Sequence, residues 1–284
     1  MRVADEIIKS VGFVSRDTEP LRYAGTAFVV QVPCGENSGL LHVVTAKHVA
    51  DVVGADFVIG FNGKDGEPLF VKNGGVPWYL HPTEPDSVDL AVIPFASSRI
   101  REYDISPIPV EILVDEARIN EYDIGLGDEI FSVGLFTRYF GRTTLIPIVR
   151  TGNIAMMPNE PVPLGRFGLS EAYLAEGRSI GGLSGSPVFC RNTVKMPGLN
   201  EQGQRKHVAG VGQIHLLGLV HGHWDLPMNF SESEKLEAVN MGVSIVIPAK
   251  KILDVLYSPA LVHARNQASH RDTSDHNRAE SAQP

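Results

Sequence analysis

Gly181-Gly182-Leu183-Ser184-Gly185-Ser186-Pro187-Val188-Phe189 sets a serine between glycines, directly ahead of an apolar, β-prone run. Glycine lets the backbone take positive φ and lets other groups approach it closely. A serine on such a turn can present its hydroxyl outward, with backbone N–H groups aimed at the same point. Those are the parts of an acyl-transfer site: a nucleophile and donors for an oxyanion. Glycine and serine also make ordinary turns, so the stretch takes its meaning from what else the chain supplies.

Two upstream segments supply it. In Leu41-His42-Val43-Val44-Thr45-Ala46-Lys47-His48-Val49-Ala50, a β-branched strand runs into a histidine at the start of a helical turn. In Ser87-Val88-Asp89-Leu90-Ala91-Val92-Ile93-Pro94, an aspartate opens an apolar strand. A carboxylate there is costly to bury unless something pairs with it. A histidine held by that carboxylate is fixed in one tautomer and can take a proton from a serine hydroxyl. His48, Asp89 and Ser184 are thus the candidate base, orienting acid and nucleophile. His42 reads as structural. Asp86 and Asp51 are weaker candidates for the acid, since neither opens an apolar strand.

These segments resemble the chymotrypsin-like (trypsin-fold) serine proteases, a type that includes the catalytic domain of the bacterial HtrA group. The resemblance spans roughly residues 8–256. It also draws on Gly25-Thr26-Ala27-Phe28-Val29-Val30, Gly127-Asp128-Glu129-Ile130-Phe131-Ser132-Val133-Gly134 and Asn240-Met241-Gly242-Val243-Ser244-Ile245-Val246-Ile247-Pro248. It implies an all-β protein of two six-stranded antiparallel barrels with the active-site cleft between them and a C-terminal helix. Barrel one would fill about 8–105 and barrel two about 120–250, within one peptidase domain over 1–257. It implies a serine endopeptidase with Gly182 and Ser184 N–H groups as the oxyanion hole, acting on protein or peptide substrates without a cofactor. The pocket wall would come from Gly177-Arg178-Ser179-Ile180 and from Leu217 to Trp224. Arg178, six residues before Ser184, would favour acidic side chains if its guanidinium faces the pocket. Gly218, His221 and Gly222 would offer an edge for the substrate backbone. Leu183 stands where zymogen-activated members carry Asp, so control by a freed N-terminus is not expected. Ser186 replaces a more usual Gly.

Composition agrees with a folded β protein. The chain has 284 residues, 43% hydrophobic and 20% charged, with 28 Gly and 19 Pro to make turns. Its net charge of -8 argues against a general nucleic-acid surface. No apolar run approaches the ~18 residues of a membrane span. The charged N-terminal residues do not read as a secretion signal, which points to a cytoplasmic protein. So do only two cysteines, Cys34 and Cys190, for which a bridge is not expected.

Strand signals recur between turn signals through both halves. They are expected at Val11-Val14, Gly25-Val32, Leu40-Thr45, Phe57-Phe61, Leu69-Lys72, Trp78-His81 and the segment after Asp89. Further strands are expected at Glu129-Val133, Thr144-Arg150, Gly152-Met156, Tyr173-Ala175, Pro187-Cys190, Val208-His221 and Gly242-Pro248. Segment 96–120 reads as a connection, Ala249-Leu256 as a closing amphipathic helix, and 258–284 as a disordered polar tail. The stretch beyond Leu256 is too short for the PDZ domain that HtrA-like proteins append.

Three other readings compete. A protease-fold binding or scaffold protein without turnover would lack a triad member, and none is missing. An α/β-hydrolase would need Gly-x-Ser-x-Gly with its acid and histidine after the serine; Ser186 breaks the motif and the order is wrong. Strand neighbours His221 and His223, with His207 and His215 nearby, invite a metal reading. No Cys or carboxylate cluster completes such a site, so no metal is expected.

Overall fold

The computed structural model describes residues 2–34, 39–177, 181–191, 212–228 and 237–267. Short helix α1 (Asp5–Lys9) leads into the N-terminal sheet. Its strands are β1 (Val11–Arg16), β2 (Arg22–Pro33), β3 (Gly39–Thr45), β4 (Phe57–Asn62), β5 (Pro68–Lys72), β6 (Tyr79–Leu80), β7 (Ala91–Phe95) and β8 (Ile108–Pro109). The pairing order is β5-β4-β1-β2-β3-β7-β6, with β8 added in parallel to β2. Helix α2 (Lys47–Val53) follows β3, and α3 (Glu116–Glu121) lies in the connection between halves, its first turn capped by Asp115.

The C-terminal half contains β9 (Glu129–Gly134), β10 (Ile148–Met156), β11 (Val162–Pro163), β12 (Leu169–Ser170), β13 (Tyr173–Glu176), β14 (Pro187–Arg191), β15 (Ile214–Met228) and β16 (Glu237–Pro248). Six of these close into a barrel, β10-β13-β16-β15-β14-β9, while β11 and β12 pair as a separate ribbon. Helix α4 (Ala249–Leu256) comes next, at the residues where the sequence places it.

Burial follows the residue pattern. Strands β1 and β2 are covered on both faces, which is why they read as near-continuous Val, Phe and Ala runs. Phe13, Phe28 and Phe61 are buried in the first half, Phe131, Phe189 and Tyr173 in the second. At about 25 cal/mol per Å² of apolar surface, each contributes about 2 kcal/mol or more.

Polar contacts outside the cleft also join the halves. The Asn62 side chain donates to the Leu145 carbonyl and accepts from its N–H, both at 2.8 Å. Lys251 on α4 pairs with Glu84 of the first half at 3.1 Å and with Glu171 of the second at 3.3 Å.

The structure redraws several sequence expectations. The separate strands expected at 144–150 and 152–156 are one strand, β10. Gly152, expected to open the second of them, lies inside it, and its missing side chain admits the Glu176 carbonyl of β13: a Cβ there would lie 1.8 Å from that oxygen. Segment 96–120 holds β8 and α3 rather than a plain connection. The tail expected from 258 is helical over 259–267, with Leu261 buried and Arg265 bonded to the Leu256 carbonyl. A single short apolar group, Ala260-Leu261-Val262, is too brief to show helical periodicity. Residues 268–284 lie outside the described residues. Cys34 and Cys190 are not joined by a disulfide.

Candidate active site

The cleft between the halves is built from three chain ends that meet. Strand β3 ends at Thr45, and α2 starts two residues later with no side-chain cap of its own. The first N–H groups of a helix lack internal partners. Here the carboxylate of Asp89, just ahead of β7, takes that role from another element. Its Oδ1 accepts the His48 backbone N–H at 2.8 Å, and its Oδ2 lies 2.7 Å from His48 Nδ1. Helix start and imidazole ring are thus held by one side chain. Asp89 is completely buried, whereas the His48 ring keeps 27% of its exposure.

His221, on β15, reaches the same carboxylate. Its Nδ1 is 2.5 Å from Asp89 Oδ2. Burial opposes ionisation of Asp89, but hydrogen bonds from His221 and His48 outweigh it and hold the carboxyl well below the usual range. Both rings serve Asp89 as Nδ1–H donors, which leaves each Nε2 able to accept a proton.

The turn that carries Ser184 is fastened to the first half mainly by Thr26. The Thr26 N–H donates to the Ser184 carbonyl at 2.9 Å. Its hydroxyl donates to the Gly182 carbonyl at 2.8 Å and accepts from the Leu135 N–H at 2.9 Å. The Thr45 hydroxyl in turn donates to the Thr26 carbonyl at 2.6 Å. Within the turn, Ser186 N–H bonds the Leu183 carbonyl and Gly185 N–H bonds the Val220 carbonyl. Gly182 and Gly185 have φ of 100° and 83°, and a Cβ on Gly185 would sit 2.2 Å from the Thr26 carbonyl. Glycine is therefore required there on both counts. Among the described residues, the N–H groups of Gly182 and Ser184 have no backbone acceptor.

His48, Asp89 and Ser184 are thus gathered around His221, but they are not a continuous hydrogen-bonded chain. The Ser184 hydroxyl donates to the His221 carbonyl at 3.1 Å rather than to the His48 ring. Asp86 is fully exposed beside Lys47, and Asp51 pairs with Arg166, so neither replaces Asp89. His42 is buried on β3. Arg178 and His207 lie outside the described residues.

One residue expected on the substrate edge is placed otherwise. Gly218 is paired on both sides within the closed barrel, to Val188 and Pro248. A Cβ there would stand 1.9 Å from the Ile247 carbonyl, so its glycine serves packing. His221 turns inward to Asp89. The β15–β16 register shifts between Val220 and Gly222, and such a bulge re-aims the side chain it carries. Pairing of β15 with β14 stops at Leu219, and a Cβ on Gly222 would meet no atom within 4 Å. Sequence reading did not find the roles of Thr26 and His221. The Gly25-Thr26 pair was the available signal for the first; the second needs the bulge.

No protein-family model matches the sequence, and no curated protein does. Solved structures do. The apo MamO protease domain from Magnetospirillum magneticum aligns over 87% of this chain and 96% of its own, with a TM-score of 0.52 and 13% identity. The chain has the trypsin-like protease fold. This trypsin-like fold is also similar to Deg5, over 88% of each chain at 17% identity and a TM-score of 0.46. The HtrA-type protease AlgW, solved with a decapeptide, aligns over 89% of this chain and 65% of its own at 16% identity, with a TM-score of 0.48.

Proposed function

We propose that the protein is a serine endopeptidase that cleaves protein or peptide substrates through an acyl-enzyme. The observation that carries this reading is the two-point hold of Asp89 on His48 at the rim of the crevice that receives Ser184. A carboxylate that grips both the ring and the backbone of one histidine fixes its tautomer and leaves Nε2 facing the reaction.

In the proposed reaction, rotation about the Ser184 Cα–Cβ bond moves its hydroxyl from the His221 carbonyl toward His48 Nε2. Oγ attacks the scissile carbonyl carbon while Nε2 takes its proton. The N–H groups of Gly182 and Ser184 stabilise the oxyanion, an interaction worth about 10²- to 10³-fold in rate per donor. His48 then protonates the departing amine, and water repeats the sequence on the acyl-enzyme to release the acid and restore Ser184. The open backbone at Gly222 is the edge along which a peptide would pair.

One observation favours a second reading, a protease-fold binding protein without turnover: the Ser184 hydroxyl is engaged by the His221 carbonyl. Incubating the full chain with unfolded casein, beside its Ser184→Ala form, separates the two. Fragments that accumulate only with the unaltered protein, identified by mass spectrometry, support the peptidase. Retention of intact casein equally by both forms supports the binding protein.

A further inference from the structure

Asp89 is completely buried, and among the described residues its ion-pair partners are the two imidazoles alone. Lys47 bonds the Pro85 carbonyl and lies near Asp86, and Arg166 is committed to Asp51. A buried carboxylate flanked by two imidazole nitrogens is a donor set that a cation can use.

The donors around it are of a particular kind. His48 Nδ1 and His221 Nδ1 converge on the same carboxylate oxygen from opposite halves of the molecule, at 2.7 and 2.5 Å. Their rings stand edge to face with centroids 5.6 Å apart. The ligand atoms of His48, Asp89 and His221 all lie within 4.8 Å of one another. Two imidazole nitrogens and one carboxylate oxygen suit Zn²⁺ and its first-row neighbours, while Mg²⁺ and Ca²⁺ prefer all-oxygen sets. With metal–ligand bonds of about 2.0 Å, tetrahedral donors stand about 3.3 Å apart. Each existing contact therefore has to open by less than about 1 Å. Both rings are partly exposed, at 27% and 15%, so an ion can reach them from the cleft. Asp89 Oδ1 remains bonded to the His48 N–H throughout, which keeps Oδ2 aimed at the site.

We propose that His48 Nδ1, Asp89 Oδ2 and His221 Nδ1 form a three-ligand site for a divalent transition cation of the zinc class, with a fourth position left to solvent. The carboxylate that the sequence could not supply to His221 comes from the other half of the fold. Binding has a consequence for chemistry. When the metal takes the Nδ1 lone pair, the proton of neutral His48 moves to Nε2, and Nε2 can no longer accept one from Ser184. The ion is then a reversible off-switch. This inhibitory half rests on the endopeptidase reading; the binding half does not.

The test uses the full chain carrying Ser184→Ala, so that turnover plays no part. Zn²⁺ is titrated by calorimetry, and Co²⁺ is followed by its visible absorption, which reports four-coordinate geometry. One ion per chain is expected. His221→Gln in the same background should weaken binding by at least about 100-fold, whereas His263→Gln, on the exposed 259–267 helix, should leave it unchanged. Should His221→Gln fail to fold, ring-nitrogen NMR of the Ser184→Ala protein gives the same answer, with the His48 and His221 Nδ1 signals shifting together as Zn²⁺ is added. Binding that survives His221→Gln, ring shifts confined to other histidines, or no binding overturns the site. In the unaltered protein, peptide cleavage blocked by Zn²⁺ and restored by a chelator supports the off-switch. Metal binding without any peptidase activity leaves the site standing while the endopeptidase reading falls. Cleavage with no metal binding does the reverse.

Discussion

The two halves of the cleft are prepared to different degrees. On the N-terminal side, His48 is fixed at ring and backbone by a buried carboxylate, and that carboxylate is itself held by a second ring. On the C-terminal side, the turn backbone is pinned as firmly, through Thr26 and two glycines, but the Ser184 hydroxyl rests on the His221 carbonyl. In the proposed reaction the base is preassembled, and the hydroxyl that would attack has first to leave its present acceptor. The difference is physical in origin. Burying Asp89 requires partners from the moment of folding, whereas a part-buried hydroxyl can change acceptor by changing rotamer.

Substitutions can break or sharpen this contrast. The largest effect belongs to the less prepared side: Ser184→Ala should lower kcat for peptide cleavage by about 10⁴- to 10⁶-fold with little change in melting temperature. On the prepared side, Asp89→Asn should cost about 10⁴-fold in kcat. It should also destabilise the fold, since the amide cannot accept from both rings and the α2 N–H as the carboxylate does. A parallel loss in activity and thermal stability would confirm that this half is assembled by folding itself.

Thr26→Val tests the staple between the halves. It removes a buried hydroxyl and orphans the Leu135 N–H and the Gly182 carbonyl. At roughly 1–3 kcal/mol per unsatisfied group, about 2–6 kcal/mol should be lost in denaturant unfolding. The smallest effect is on acid stability. Burial, with Arg265 adding to it, pushes His42 down from 6.5 to about 4. The unfolded chain therefore binds a proton between those pH values that the folded one refuses, so stability present at neutral pH is lost as pH falls through that window. By linkage the loss is about 2 kcal/mol at pH 5. His42→Leu should flatten this acid limb in thermal melts between pH 7 and 5; an unchanged slope would remove His42 as its source.

Much of this was legible in the chain because it is local. The Thr45-Ala46-Lys47-His48 strand end, the Val88-Asp89-Leu90 strand opening and the glycine-flanked Ser184 each place their side chain by short-range rules. The strands they belong to announce themselves by β-branched runs between turns. What was hidden depends on long-range register. Gly152 and Gly218 look in sequence like a strand opening and a substrate edge, but each is emptied for a carbonyl from a strand far along the chain. His221 looks like a substrate-facing residue until the bulge beside it turns the ring to a carboxylate 132 positions away.

The central claim is that His48 activates Ser184 within this crevice. Labelling the intact protein with a fluorophosphonate and mapping the adduct by mass spectrometry tests it most directly. A single adduct on Ser184 that disappears in His48→Ala is expected. No adduct, or one on Ser184 formed equally fast without His48, would contradict it.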